Sequence, residues 1–356
     1  MQDDRQPARR RPRERLGEGG RRLHSAGSAV VVSLAALVIS ALLNAPGIEK
    51  SAQIQPEGWK RDVALAVTGP LEGISHALLF DRPRQGLKVV LGRSDDDEID
   101  TAVALPEPPP PPAPPAAEPP PPPKREKFSP ARPLRVWIAG DSLVVVPGES
   151  LLRAAAANPA IERTGQVDGR IASGLERPDV FNWFTHVRDV MQARKRPRAV
   201  VVMFGGNDDH GFMTGLPEGV RIDTFGSSSW QAEYRRRVAG LMDTVTRRGG
   251  HLVWIGLPIS HDAEQTRRYD AINAIVQSEA ARRPGRVDYL DTYFFFAGDD
   301  GGFTQYVTDS SGSLVKMRAD DGVHFERPAG DLIAEKVLEL LEARFDLTSW
   351  RERESG

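Results

Sequence analysis

Residues from about 132 to 348 predict an α/β domain of three layers, with helices on both faces of a parallel sheet. Three observations carry this. Four short runs, Leu134–Ala139, Ala199–Phe204, His251–Gly256 and Val287–Leu290, are apolar without polar alternation, as strands covered on both faces are. Longer amphipathic stretches separate and follow them: Glu149–Ala157, Pro178–Arg194, Trp230–Arg248, Ala263–Arg283 and Pro328–Arg344. Such alternation builds a flavodoxin-like αβα sandwich. Clusters of Gly, Asp and Asn fall where strands end, the edge at which these sheets bind ligands. The span is long enough to bury its own core.

The rest of the chain is organised differently. Residues 1–24 hold eight arginines against four acidic residues, a basic leader expected on the cytoplasmic side. Residues 25–48 carry no charge and reach the ~20 residues a bilayer-spanning helix needs. A retained signal anchor is expected there, with a cleaved signal peptide as the bland alternative. Everything after it would then be periplasmic or otherwise extracytoplasmic.

Residues 49–105 form a membrane-proximal segment. Two short helices, Trp59–Val67 and Leu71–Phe80, are expected there, broken at Gly69-Pro70. The acidic run Asp95–Glu98 reads as a solvated turn. Pro106–Pro123 has thirteen prolines in eighteen residues, and reads as a polyproline II spacer of about 55 Å at ~3.1 Å per residue within a proline-rich linker over 106–131. Residues 349–356 are a tail.

Composition narrows the chemistry. A net charge of −2 argues against a nucleic-acid binder working by bulk electrostatics. The absence of cysteine excludes disulfides, thiolate zinc sites and a cysteine nucleophile. No His/Asp/Glu spacing suggests a metal, no phosphate loop is present, and no cofactor is expected.

The chemistry-bearing residues lie at strand ends. The first strand runs into Gly140-Asp141-Ser142-Leu143, which places a serine at the start of a helix. A small-residue loop holds Gly174. The second strand runs into Gly205-Gly206-Asn207-Asp208. Asp320-Asp321-Gly322-Val323-His324 precedes the last helix. A serine hydroxyl needs a base to take its proton, and His324 suits that role. Asp321, three residues earlier, suits the second ring nitrogen. The Ser142 and Gly174 N–H groups and the Asn207 amide would stabilise an oxyanion.

These four blocks, in this order, resemble the SGNH (GDSL-type) hydrolases over residues from about 133 to 345. With its N-terminal anchor, and Ser173–Asp179 reading Ser-Gly-Leu-Glu-Arg-Pro-Asp, the chain is similar to a bacterial membrane-anchored envelope branch. The resemblance implies hydrolysis or transfer of acyl esters, often acetyl groups on sugars, without metal. The expected substrate is an acylated envelope polysaccharide or peptidoglycan. The alternatives are an O-acyltransferase supplied by a membrane-bound acyl donor protein, and a non-catalytic scaffold. Asp141, Asp208, His210 and Tyr306 are candidate substrate-binding residues. A β-hairpin from Phe303 to Arg318 ends at the Asp321 loop and should overhang the site.

Overall fold

The computed structural model describes residues 26–53, 55, 59–77, 100–106, 125–309 and 311–351. The basic leader, the acidic run 95–98 and the proline-rich stretch after Pro106 lie outside the described residues. The chain divides into two compact units, 1–97 and 98–356.

The first unit holds three helices: α1 (Ala26–Leu43), α2 (Ala45–Gln53) and α3 (Trp59–Ala77). The single helix expected over 25–48 stops at Leu43, with a turn at Asn44. Pro46 has no N–H to give the Leu42 carbonyl, and Ser75 Oγ donates to that carbonyl instead at 2.7 Å. The break expected at Gly69-Pro70 does not occur, because α3 runs through Pro70. Its buried Thr68 and Ser75 mark the face packed on its neighbours, and that packing outweighs one missing helical hydrogen bond. Among the described residues no helix is long and apolar enough to cross a membrane.

The second unit begins before the expected boundary. Asn182 Nδ2 donates to Ala102 O at 2.8 Å, and Thr185 Oγ1 donates to Asp100 Oδ2 at 2.9 Å. Leu105 lies against Gly240. Beyond the proline run, β1 (Glu126–Lys127) pairs with β10 (Phe345–Asp346). The described residues on both sides of that run belong to the second unit.

The central sheet is parallel, in the order β3-β2-β5-β6-β7, and β4 also pairs with β2. The strands are β2 (Leu134–Gly140), β3 (Ile161–Arg163), β4 (Asp168–Gly169), β5 (Ala199–Met203), β6 (His251–Ile255) and β7 (Val287–Leu290). All residues of β5 and β6 are buried, and nearly all of β2, as the apolar runs require. The helices are α4 (Val145–Ala155), α5 (Trp183–Gln192), α6 (Ser228–Thr246), α7 (Ala263–Ala281) and α8 (Arg327–Arg344). Adjacent residues of β2 show the two covered faces. A Cβ at Gly148 of α4 would meet Ile138, while Trp137 packs against His186 of α5. Helices α4 and α8 pack together, and α6 packs on both α5 and α7. The expected αβα architecture is present.

The expected hairpin also forms. Strands β8 (Tyr306–Thr308) and β9 (Leu314–Lys316) pair antiparallel, with Tyr306 opposite Lys316.

Candidate active site

The first strand delivers its serine by a close approach. At Gly140 an added Cβ would sit 2.1 Å from the Met203 carbonyl oxygen, so only glycine lets β2 and β5 run together to this point. The chain then turns. Asp141 caps a 3₁₀ turn, Ser142–Val144, that leads into α4. This puts the half-buried Ser142 at the carboxyl end of the sheet.

Asp141 corrects an expectation. It is wholly buried and cannot reach a substrate. Its carboxylate accepts from the N–H groups of Leu143 (2.9 Å), Gly205 (3.0 Å) and Gly206 (2.8 Å). It therefore ties the nucleophile turn to the asparagine loop. Burial pushes its pKa up to about 7, against the pull of these N–H groups.

The histidine reaches the serine. His324 Nε2 lies 2.8 Å from Ser142 Oγ, and its Nδ1 lies 2.7 Å from Asp321 Oδ2. The other oxygen of Asp321 accepts from the N–H groups of Val323 (2.8 Å) and His324 (2.9 Å). Partial burial raises the Asp321 pKa, but these amides and the imidazole hold it down at about 2. Asp321 is thus ionised at neutral pH, and it fixes the Nδ1–H tautomer with Nε2 free to take a proton.

The expected oxyanion elements lie on loops that the hydrogen bonds tie together. Asn207 Nδ2 donates to Ser173 O at 3.0 Å, which places its amide beside the glycine loop and leaves a second N–H. Among the described residues, no hydrogen bond engages the Ser142 or Gly174 N–H. Donors left open beside a nucleophile suit a developing oxyanion.

Asp208 also has a different role from the expected one. It is fully buried and accepts from Leu175 N, Glu176 N and Tyr234 Oη, each at 2.9 Å. It clamps the Gly174 loop and does not touch substrate. His210 is exposed, with Nδ1 2.6 Å from Asp209 Oδ1, and has no contact with the triad. Tyr306 is half-exposed on the hairpin. The hairpin stands at the catalytic end, because Gln305 Nε2 donates to Asp320 Oδ1 at 3.0 Å and Ala319 N donates to His324 O at 2.9 Å.

Three supporting residues were missed. Arg318 is wholly buried and donates to the carbonyls of Ile259 (2.6 Å), Val323 (2.7 Å), Gly322 (3.3 Å) and His324 (3.3 Å). Its guanidinium also lies over the rings of Phe296, Phe303 and Phe325 at 5.1–5.3 Å. Burial lowers its pKa to about 10, so it stays charged. Arg237 does the same for the opposite loop, donating to the carbonyls of Leu175, Glu176 and Thr214. Glu176 is buried, takes the Trp230 indole N–H on one oxygen and has no partner on the other. Burial, with Asp208 beside it, pushes its pKa up to about 9. Arg318 and Glu176 sit in loops, where no period applies, and Arg237 lies on α6, where a charged residue reads as solvent-facing.

The four blocks converge as the resemblance to the SGNH hydrolases implies. The chain belongs to the family described as "Protein of unknown function (DUF459)", whose model matches residues 135–340. Among solved structures it is similar to a GDSL-like lipase from Bacteroides thetaiotaomicron, at 12% identity over 59% of this chain and 88% of that one, with a TM-score of 0.35. It is similar to a catalytic mutant of an acetylxylan esterase from Geobacillus stearothermophilus, at 14% identity over 58% and 92% of the two chains and a TM-score of 0.38. A lipolytic G-D-S-L family member from Veillonella parvula gives 14% identity, 58% and 96% coverage and a TM-score of 0.39. No curated protein matches the chain. The functional reading therefore stands on the geometry of the site.

Proposed function

We propose that this DUF459 protein is a serine esterase that acts through an acyl-enzyme. The observation that supports it most is the unbroken line Asp321–His324–Ser142, with 2.7 and 2.8 Å between successive partners. Ser142 Oγ attacks the acyl carbonyl while His324 Nε2 takes the hydroxyl proton. The carbonyl oxygen, now negative, is held by the N–H groups of Ser142 and Gly174 and the Asn207 amide. Collapse expels the alcohol, which leaves with the proton from His324. Water then adds to the acyl-serine by the same route, with His324 as base, and releases the carboxylic acid.

The exposure of the site favours water as acceptor. The side chains of His324 and Asp321 are 42% and 50% accessible, and an acyltransferase would need water excluded from the acyl-enzyme. The substrate class is an O-acyl ester of an envelope glycan, with acetyl foremost. It rests on the resemblance and on a membrane-attached, extracytoplasmic placement. That placement is supported by the basic leader and by α1, whose Val30, Val31, Val32, Leu34 and Leu37 are all more than half exposed. The full-length protein in neutral detergent should release p-nitrophenol from p-nitrophenyl acetate and acetate from acetylated glycans. Ser142→Ala protein that is folded and equally active would overturn the proposal.

A further inference from the structure

The end of the sheet opposite the triad carries a different chemistry. Two adjoining cavities open there, of about 320 and 540 Å³. Both are lined by Arg198 and Gly249. Arg286, Arg344 and His251 line the first cavity, and Arg194, Arg196 and Arg248 line the second. Strand direction separates these cavities from catalysis. His251 begins β6, and Arg198 and Arg286 immediately precede β5 and β7, whereas Ser142 follows the far end of β2. Strands of four to seven residues at ~3.3 Å each put roughly 13–23 Å between the two ends.

The arginines there are short of counter-charge. Among the described residues, the guanidinium groups of Arg194, Arg196, Arg248, Arg286 and Arg344 make no hydrogen bond or ion pair. The local carboxylates are already engaged: Glu126 with Arg132 and Arg198, and Asp288 with His251. Arg247, which also lines the first cavity, lies 3.9 Å from Asp243. His251 is nearly fully buried in the lining, with Nε2 2.8 Å from Asp288 Oδ2, and its buried Nδ1 has no hydrogen-bond partner. With Asp288 taking the Nε2 proton, that Nδ1 is an acceptor sealed from the cavity, so the anion-binding character rests on the guanidinium groups that lack counter-charge.

We infer that these cavities form a binding site for a ligand with two or more closely spaced phosphate groups. Guanidinium forks match phosphate oxygens in pairs, and two adjoining cavities sharing Arg198 suit several such groups better than one. The site would hold the enzyme to a phosphate-bearing surface or polymer while the triad faces away.

The test uses full-length protein in neutral detergent, with tripolyphosphate followed by calorimetry at fixed ionic strength. Saturable binding is expected. It should weaken at least tenfold in R194A/R248A/R286A, whose exposed side chains leave the core intact, and stay unchanged in R163A/R267A/R327A. Turnover of p-nitrophenyl acetate should be the same in all three proteins, and binding should persist in S142A. A second arm reconstitutes the protein in nanodiscs of phosphatidylcholine with or without phosphatidylglycerol, and reads hydrogen exchange at residues 194–198 and 246–251. Protection that requires phosphatidylglycerol identifies lipid headgroups as the source. Soluble binding without such protection identifies a free polyphosphate or phosphodiester. Absence of both, equal weakening in the two triple variants, or equal effects from matched sodium chloride would overturn the site.

Discussion

Gly174 has no room for a side chain because the Asp208 carboxylate stands against it: an added Cβ would fall 2.0 Å from Asp208 Oδ1. The glycine of the second block is therefore explained by the aspartate of the third. Asp208 must come this close to take the N–H groups of Leu175 and Glu176, and this fixes the direction of the Gly174 N–H. Gly174→Ala should push the loop off Asp208 and misplace that donor. We expect kcat to fall ~10²–10³-fold, the scale of losing one oxyanion donor, with a smaller change in KM. Steady-state kinetics alongside a thermal melt check it. Unchanged kcat in the alanine variant would remove Gly174 from the oxyanion hole.

Asn207→Ala removes the side-chain donor without touching the backbone of the loop. A loss of kcat on the same ~10²–10³-fold scale is expected. Asn207 also donates to Ser173 O, so the comparison with Gly174→Ala separates a missing donor from a displaced loop. Both variants should retain phosphonylation of Ser142 by a fluorophosphonate, with loss of fluoride, at a reduced rate.

Asp321→Asn should leave the fold intact, because the residue is half-exposed, but it reverses the hydrogen-bond sense at His324 Nδ1. The imidazole would then favour the wrong tautomer. A fall in kcat of roughly 10²–10⁴-fold is expected, by analogy with serine triads in general. The acid range supplies a stability counterpart. The folded Asp321 pKa, about 2, lies below its usual value near 4, so its contribution is present above pH 4 and lost as pH falls toward 2. Acid melts of wild type and Asp321→Asn should converge in that window.

Arg318→Lys keeps the charge but loses the planar fork that spans four carbonyls of the histidine loop and its neighbour. Several of those carbonyls would be left buried and unpaired, at about 1–3 kcal/mol each. A drop of several degrees in Tm and a kcat reduced at least tenfold, with KM little changed, are expected. A Lys variant with wild-type kcat would show that the loop holds His324 without help.

The buried carboxylates set the alkaline side of stability. Glu176 is raised to about 9 and Asp141 to about 7, so between about pH 4 and 9 the folded state binds more protons than the unfolded one. Stability therefore falls with rising pH through that range. Glu176→Gln keeps an oxygen for Trp230 and removes the ionisation. Its Tm should decline less than that of wild type between pH 5 and 9. An equal decline would show that Glu176 is not the titrating group.

Most of the domain was legible because buried parallel strands and amphipathic helices write strong patterns. Leu134–Gly140, Ala199–Met203 and His251–Ile255 were found within a residue of their ends. Strands β3 and β4 were not, since two or three residues carry no period. The triad was legible because Ser142, Asp321 and His324 sit in fixed turn motifs. Asp141 and Asp208 were misassigned for a physical reason: a carboxylate near a nucleophile looks the same in sequence whether it faces solvent or is sealed behind backbone N–H groups. The helix break at Asn44 went unseen because the partner for the Leu42 carbonyl, Ser75, lies 33 residues away.

The central claim is that Ser142 forms an acyl-enzyme with His324 as its base. Full-length protein treated with a fluorophosphonate and digested for mass spectrometry tests it most directly. One adduct, on the peptide containing Ser142, is predicted. It should be absent in Ser142→Ala and slowed by orders of magnitude in His324→Ala, with p-nitrophenyl acetate turnover lost in parallel. Folded wild-type protein that takes no label at Ser142, or labelling at a different serine that tracks turnover, would contradict the account.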